Sequence, residues 1–352
     1  MTATAAPRRR ARPETPGPAP EAERLGALHA ALADWFGREA RDLPWRASDR
    51  TPWGVLVSEV MLQQTPVVRV LPVWREWMER WPRPADLAAE PAGEAVRAWG
   101  RLGYPRRALR LHAAATVITA EHGGELPDTE EELLALPGVG SYTAAAVAAF
   151  AFGRRSVVVD TNIRRVHARL VSGEALPAPS LTAAELRRAA ALLPAHRAES
   201  VAWNAAAMEL GALVCTARSP RCDVCPVAAE CAWLAAGEPP PTYTPRGQAW
   251  HGTDRQVRGA IMAVLRAAEH PVVRELFVRA PELPDSEMLG SAGSEASGPC
   301  STQHFAEAAS PVGAALARLH ALGTGPDQLE RALTGLLADG LAVEVDGRLR
   351  LP

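Results

Sequence analysis

Four cysteines run in the order C-x6-C-x2-C-x5-C, at Cys215, Cys222, Cys225 and Cys231, so any fold of this chain has to gather four thiols in one short loop. Tetrahedral zinc sites usually come as two short clips separated by a longer segment. One compact loop that supplies every thiolate suits a [4Fe–4S] cluster better. Two crowded disulfides are the other reading, and they would leave Cys300 over. A chain with 47% hydrophobic residues and no secretory signal has little use for them. The loop by itself names no function.

The length of 352 residues suggests two domains, and the apolar content is enough for a real core. A net charge of -2 says little about partners, because a local arginine face and backbone amides can hold phosphates without a basic total. All 38 basic side chains are arginine. With no lysine, imine chemistry on a sugar aldehyde would fall to the N-terminal amine. No apolar run is long enough to span a bilayer, so the chain is expected to be soluble and cytoplasmic, without membrane contact.

Residues 1–20 are rich in Pro, Ala and Arg and read as a disordered arm. Residues 21–235 form the next domain, almost wholly helical in pattern from Glu21 to about Leu213, with apolar positions at three- and four-residue steps through Leu25, Leu28, Leu32 and Phe36. This predicts an all-α domain that ends in the cysteine loop. Residues 236–255, with Pro239, Pro240, Pro241 and Pro245, read as a linker. In 256–352, helices are predicted over Gln256–Glu269 and Asp327–Leu337. Asp346-Gly347 between alternating apolar residues then signals a hairpin. The result is a small winged-helix-like module, interrupted at about 281–311 by a Ser/Gly/Glu/Pro-rich insertion expected to be mobile. With Asp327, Glu330, Arg331 and Asp339 in or near it, its recognition helix is not basic, which favours packing or a protein contact over DNA binding.

Leu136-Pro137-Gly138-Val139-Gly140 joins two helical patterns. Its glycines permit positive φ and close approach of a phosphate, while the following helix aims free amides outward at its positive end. Twenty residues on, Asp160 follows the apolar run Val157-Val158-Val159, and it can cap the next helix whatever else it does.

A helix–hairpin–helix, an aspartate about twenty residues later and then the four-cysteine loop resemble, over about 36–235, the iron–sulfur members of the endonuclease III superfamily of DNA glycosylases. The segment Ser58-Glu59-Val60-Met61-Leu62-Gln63-Gln64-Thr65 is similar to the signature of the MutY-type adenine glycosylases. So are Leu43-Pro44-Trp45-Arg46, Leu102-Gly103-Tyr104 and Met208-Glu209-Leu210-Gly211-Ala212. Where lyase relatives carry a Schiff-base lysine, this chain has Tyr142.

The resemblance implies a helix–hairpin–helix DNA glycosylase fold and excision of adenine mispaired with 8-oxoguanine or guanine in double-stranded DNA, by a monomeric, nucleoid-associated enzyme. Releasing adenine requires an acid to protonate the purine and an anion opposite an oxocarbenium-like sugar. By resemblance Glu59 is the acid, in a desolvated pocket among Leu43, Trp45 and Val60, and Asp160 stabilises or traps the sugar cation beside Tyr142 and Asn162. Leu62 and Gln64 match the positions that wedge into the stack from which the base is flipped, and Gln63 and Tyr104 are further DNA-binding residues. Arg41, Trp45, Arg46 and Glu209 surround the flipped adenine, while Gly138, Val139 and Gly140 hold a phosphate. The cluster loop presents Arg218 and Arg221 to DNA.

The pattern is broken at Pro105, Thr161 and Ala205, where a second tyrosine, a glycine and a glutamine are usual. The MutT-like β-rich domain that reads 8-oxoguanine in such enzymes has no counterpart after residue 256. A thymine or uracil mismatch glycosylase of the same superfamily and a non-enzymatic iron–sulfur DNA-binding or redox-sensing protein are the competing readings.

Overall fold

The computed structural model describes residues 21–244, 247, 249–278 and 310–352. The N-terminal arm, Cys300 and nearly all of the expected insertion lie outside them. The chain is mostly helical and forms two compact units that do not follow chain order: residues up to Arg41 together with Val157–Tyr243, and Asp42–Ser156 together with Thr244–Pro352.

The first unit contains α1 (Glu21–Glu39) packed on α11 (Arg197–Leu213), and α9 (Thr161–His167) packed on the same α11. Trp203 of α11 meets His29 edge-on at 4.8 Å and stacks with the buried His167. A π-helical turn, Ala168–Ser172, continues α9 towards the short helix α12 (Ala232–Ala235) behind the cysteine loop. The linker starts against this unit, with the Tyr243 hydroxyl donating to Pro177 O at 2.8 Å.

The second unit is built on α2 (Pro52–Leu62). Thr51 caps this helix by accepting from Gly54 N, and Pro52 occupies its first turn, where a missing N–H costs nothing. Every residue from Trp53 to Met61 is buried, so α2 is a core helix with neighbours on all sides. It packs against α3 (Val67–Arg80), α6 (Arg106–Glu121) and the alanine-rich α8 (Ser141–Phe152). Trp77 forms the centre of an edge-to-face cluster with Trp81 at 4.9 Å and Trp99 at 5.6 Å. Such rings add about 0.5–1.5 kcal/mol per pair beyond the area they bury.

The C-terminal module shares this core. Helix α13 (Asp254–Ala267) packs on two later helices, Pro311–His320 and Pro326–Ala338. Residues Asp346 and Gly347, both at positive φ, close the predicted hairpin between β2 (Val343–Val345) and β3 (Arg348–Arg350). An additional strand, β1 (Val272–Val273), pairs antiparallel with β3 to give the order β1-β3-β2, a winged-helix-like arrangement. Two residues were too few for periodicity to reveal this strand. Ser310 and Pro311, expected to end the insertion, instead cap and open a helix.

The module packs on α5 (Ala92–Ala98). Arg97 donates to the carbonyls of Arg266 and Ala268, Arg266 returns a bond to Val96 O at 3.0 Å, and Gly93 N donates to Pro352 O at 2.7 Å. Burial pushes the Arg266 guanidinium down to about 10.

Candidate active site

In the second unit, Glu59 sits on the last full turn of α2, only 5% exposed, and its Oε2 accepts the Tyr142 hydroxyl at 2.7 Å. Tyr142 is the second residue of α8, so the hairpin that starts α8 also delivers the phenol. Leu43 and Trp45 are buried in the core of this unit, and Trp45 rests edge-on against Trp74 at 5.4 Å. Arg46 is half-buried at the end of the same turn.

After α2 the backbone turns sharply. Leu62 and Gln63 are half-buried, the Gln63 amide reaches Thr143 Oγ1 at 3.3 Å, and Gln64 is exposed at φ 55°. Tyr104, 48% exposed, is also left-handed at φ 47°. Non-glycine residues seldom adopt that conformation, so these two turns store backbone strain.

In the hairpin, Gly138 is at φ 77°, and a Cβ there would lie 2.5 Å from Arg110 Cβ. Gly140 corrects the expectation for its pair: its φ is -98°, an extended N-cap with open space where a Cβ would be. Glycine there leaves the first amides of α8 unobstructed rather than permitting a special φ. Val139 between them is buried.

The first unit holds the other expected residues. Asp160 caps α9, accepting from Ile163 N at 2.7 Å with one oxygen and from Asn162 Nδ2 at 2.9 Å with the other. Desolvation pushes its carboxyl above the usual range, opposed by those amides and by Arg165. Arg41 and Glu209 pair with each other: the guanidinium forks onto the carboxylate at 2.7 Å on both arms, and the Glu209 side chain is fully buried. Arg41 is therefore one half of a bidentate pair.

Two arginines of this unit escaped the sequence reading. Arg165 donates to Asn162 Oδ1 at 2.8 Å, Gly211 O at 2.6 Å and Cys215 O at 2.7 Å. Arg169 reaches Cys215 Sγ at 3.4 Å and Thr216 O at 2.7 Å. Gly211 has to be glycine, since a Cβ there would lie 2.7 Å from Asn162 Cβ. Asp160, Asn162, Arg165 and Cys215 thus form one hydrogen-bonded series.

Cys215, Cys222, Cys225 and Cys231 all line a single pocket, closed by Val166, Leu210 and Trp233. Burial pushes the Cys225 thiol up to about 11, and Cys222 is raised for the same reason. A bare thiolate is disfavoured at Cys222 and Cys225, whereas four thiolates bound to iron would be at home beside the Arg169 guanidinium. Arg218 and Arg221 are exposed on the loop.

Residues 57–191 match the model of the HhH-GPD superfamily of base excision DNA repair proteins, and residues 215–231 match the iron–sulfur binding domain of endonuclease III. Fold, hairpin and thiol loop together define a helix–hairpin–helix DNA glycosylase with a [4Fe–4S] cluster. A curated relative, the adenine DNA glycosylase of Mycobacterium tuberculosis (strain CDC 1551 / Oshkosh), is 46% identical over 339 residues, covering 95% of this chain and 97% of the relative. The adenine DNA glycosylase of Homo sapiens is 43% identical over 58% of this chain and 39% of its own length. Among solved structures, a thermostable thymine-DNA glycosylase aligns with TM-score 0.55 and 27% identity, over 61% of this chain and 98% of that one. The chain belongs to the adenine DNA glycosylase family.

Proposed function

We propose that this enzyme removes adenine mispaired with 8-oxoguanine or guanine from double-stranded DNA, by flipping the nucleotide out and hydrolysing its N-glycosidic bond without forming an imine. The observation that carries the reading is the buried Glu59 carboxyl with a phenol at 2.7 Å where lyase relatives carry an amine. Expelling adenine as an anion is difficult, so Glu59 delivers a proton to the purine ring at N7 as the bond to C1' lengthens, and later helps to activate water. Positive charge then grows on the sugar. Asp160, desolvated and fixed by Asn162 and the Ile163 amide, supplies the opposing negative charge or a covalent trap. Tyr142 holds the Glu59 carboxyl in one rotamer.

An adenine stacked in a duplex is out of reach, so Leu62, Gln63, Gln64 and Tyr104 act at the gap left by the flipped base, while the Gly138-Val139-Gly140 amides hold a phosphate. By resemblance, Leu43, Trp45, Arg46, Arg41 and Glu209 are residues that contact the flipped adenine. Cys215, Cys222, Cys225 and Cys231 would hold the cluster. It folds the loop that carries Arg218 and Arg221, and supplies no step of the hydrolysis.

Single-turnover excision on four otherwise identical duplexes tests the specificity. The duplexes carry adenine opposite 8-oxoguanine, guanine or cytosine, and thymine opposite guanine. Fast release only where adenine faces 8-oxoguanine or guanine is expected. Preferential thymine release would assign the chain to the mismatch thymine subtype, and no release from any duplex would favour the non-enzymatic reading.

A further inference from the structure

Among the described residues, the hydrogen-bond partners of the buried Arg107 are all carbonyl and hydroxyl oxygens. Its Nη1 faces Val60 O at 2.8 Å, Met61 O at 3.1 Å and Gln63 O at 2.6 Å, and its Nη2 donates to Thr65 Oγ1 and to Gly103 O, both at 3.0 Å. Its guanidinium carbon lies 5.1 Å from the Trp99 ring centre and 5.6 Å from that of Tyr104. The last carbonyls of a helix have no intrahelical donors and carry the negative end of its dipole, so α2 itself supplies the counter-charge that a carboxylate would otherwise provide. Five oxygens from two separate turns converge on one planar fork, an arrangement a lysine cannot copy.

Those turns hold the two strained, exposed residues of this unit that the proposed reading aims at DNA, Gln64 at φ 55° and Tyr104 at φ 47°. The Thr65 hydroxyl adds a second tie, lying 3.3 Å from Leu102 O. We propose that Arg107 is a positioning residue that locks the Gln63–Thr65 turn and the Gly103–Tyr104 turn into one rigid element, so that both enter the duplex as a unit behind the helix that carries Glu59. The inference rests on the proposed function for its consequence in excision. The coupling of the two turns can be measured without it.

The test uses the full-length, cluster-loaded chain with Arg107→Met, and with Arg107→Lys as the milder variant should Met prevent folding. Amide hydrogen exchange of the free proteins should show faster exchange at both 63–65 and 103–104 in either variant, with the cysteine loop unchanged. Single-turnover excision at saturating enzyme should fall by about tenfold or more while duplex affinity changes less than about threefold, since misplacement by an ångström costs rate before binding. Adding Tyr104→Ala to either variant should cost little beyond the larger single loss, because the two residues act as one element. Unchanged exchange at one of the turns, wild-type rates per folded molecule, or losses that multiply in the double variant would each overturn the proposal. If the wild-type chain released no adenine at all, the functional reading would fail, and the exchange measurement would still decide the role of Arg107.

Discussion

The two carboxylates occupy opposite kinds of environment. Glu59 lies on a helix buried along its length in a tryptophan-rich core, and a phenol bonds to it. Asp160 stands at a helix N-terminus, its residue only partly buried but its carboxyl desolvated, tied by an amide, an asparagine and, one step further, the buried Arg165. Packing therefore fixes the helix that carries the first, with one phenol to orient its carboxyl, whereas several hydrogen bonds fix the second. A change of shape should damage the Glu59 unit most, and a loss of donors the Asp160 unit.

Substitutions can break that contrast, with effects on excision that span several orders of magnitude. Glu59→Gln keeps the shape but removes the acid, so the rate should fall by about a thousandfold with duplex affinity nearly intact. Full activity in that variant would remove Glu59 from the mechanism. Asp160→Asn should cost about a hundredfold, and it carries a second, opposite signature in stability. A carboxyl whose folded pKa is raised favours folding only while protonated, and that contribution is lost as pH rises through the folded value. The neutral asparagine should therefore melt higher than wild type at pH 7 while excising poorly, and a lower melting temperature would show that the charge is stabilising after all.

Gly93→Ala tests the packing side of the contrast far from the chemistry. A Cβ at Gly93 would meet Leu351 Cβ at 2.9 Å and Pro352 O closer still, so the module should loosen at a cost of about 1–3 kcal/mol. Excision should fall less than about tenfold, with faster proteolysis after residue 250. The smallest effect on excision is expected at His167, buried against Trp203 and pushed by desolvation down to about 4. Its depressed pKa leaves stability intact above the unfolded value near 6.5 and removes it as pH falls towards 4, by on the order of 3 kcal/mol in all. His167→Phe should flatten that acid limb of the melting curve at unchanged neutral activity, and an unaltered limb would assign the acid sensitivity elsewhere.

What could be read in the sequence was local. The cysteine spacing, the Ser58–Thr65 segment, the hairpin at 136–140 and the Asp346-Gly347 turn each carry their meaning within a few residues. Arg107, Arg165 and Arg169 stayed hidden because their acceptors are mainly backbone oxygens up to 50 positions away. In a chain whose basic residues are all arginine, nothing distinguishes these three from solvated neighbours. The open N-cap at Gly140 was equally unreadable, since glycine there and at Gly138 looks identical in sequence and differs only in φ.

In the proposed mechanism two carboxylates and no amine perform the chemistry. A single-turnover time course on a duplex with adenine opposite guanine tests it directly, by measuring free adenine and strand integrity together with borohydride present in a parallel sample. The expected result is adenine release matched by an abasic strand that breaks only on alkali treatment, with no protein–DNA adduct. Strand cleavage without alkali, accompanied by efficient trapping of an imine, would contradict it.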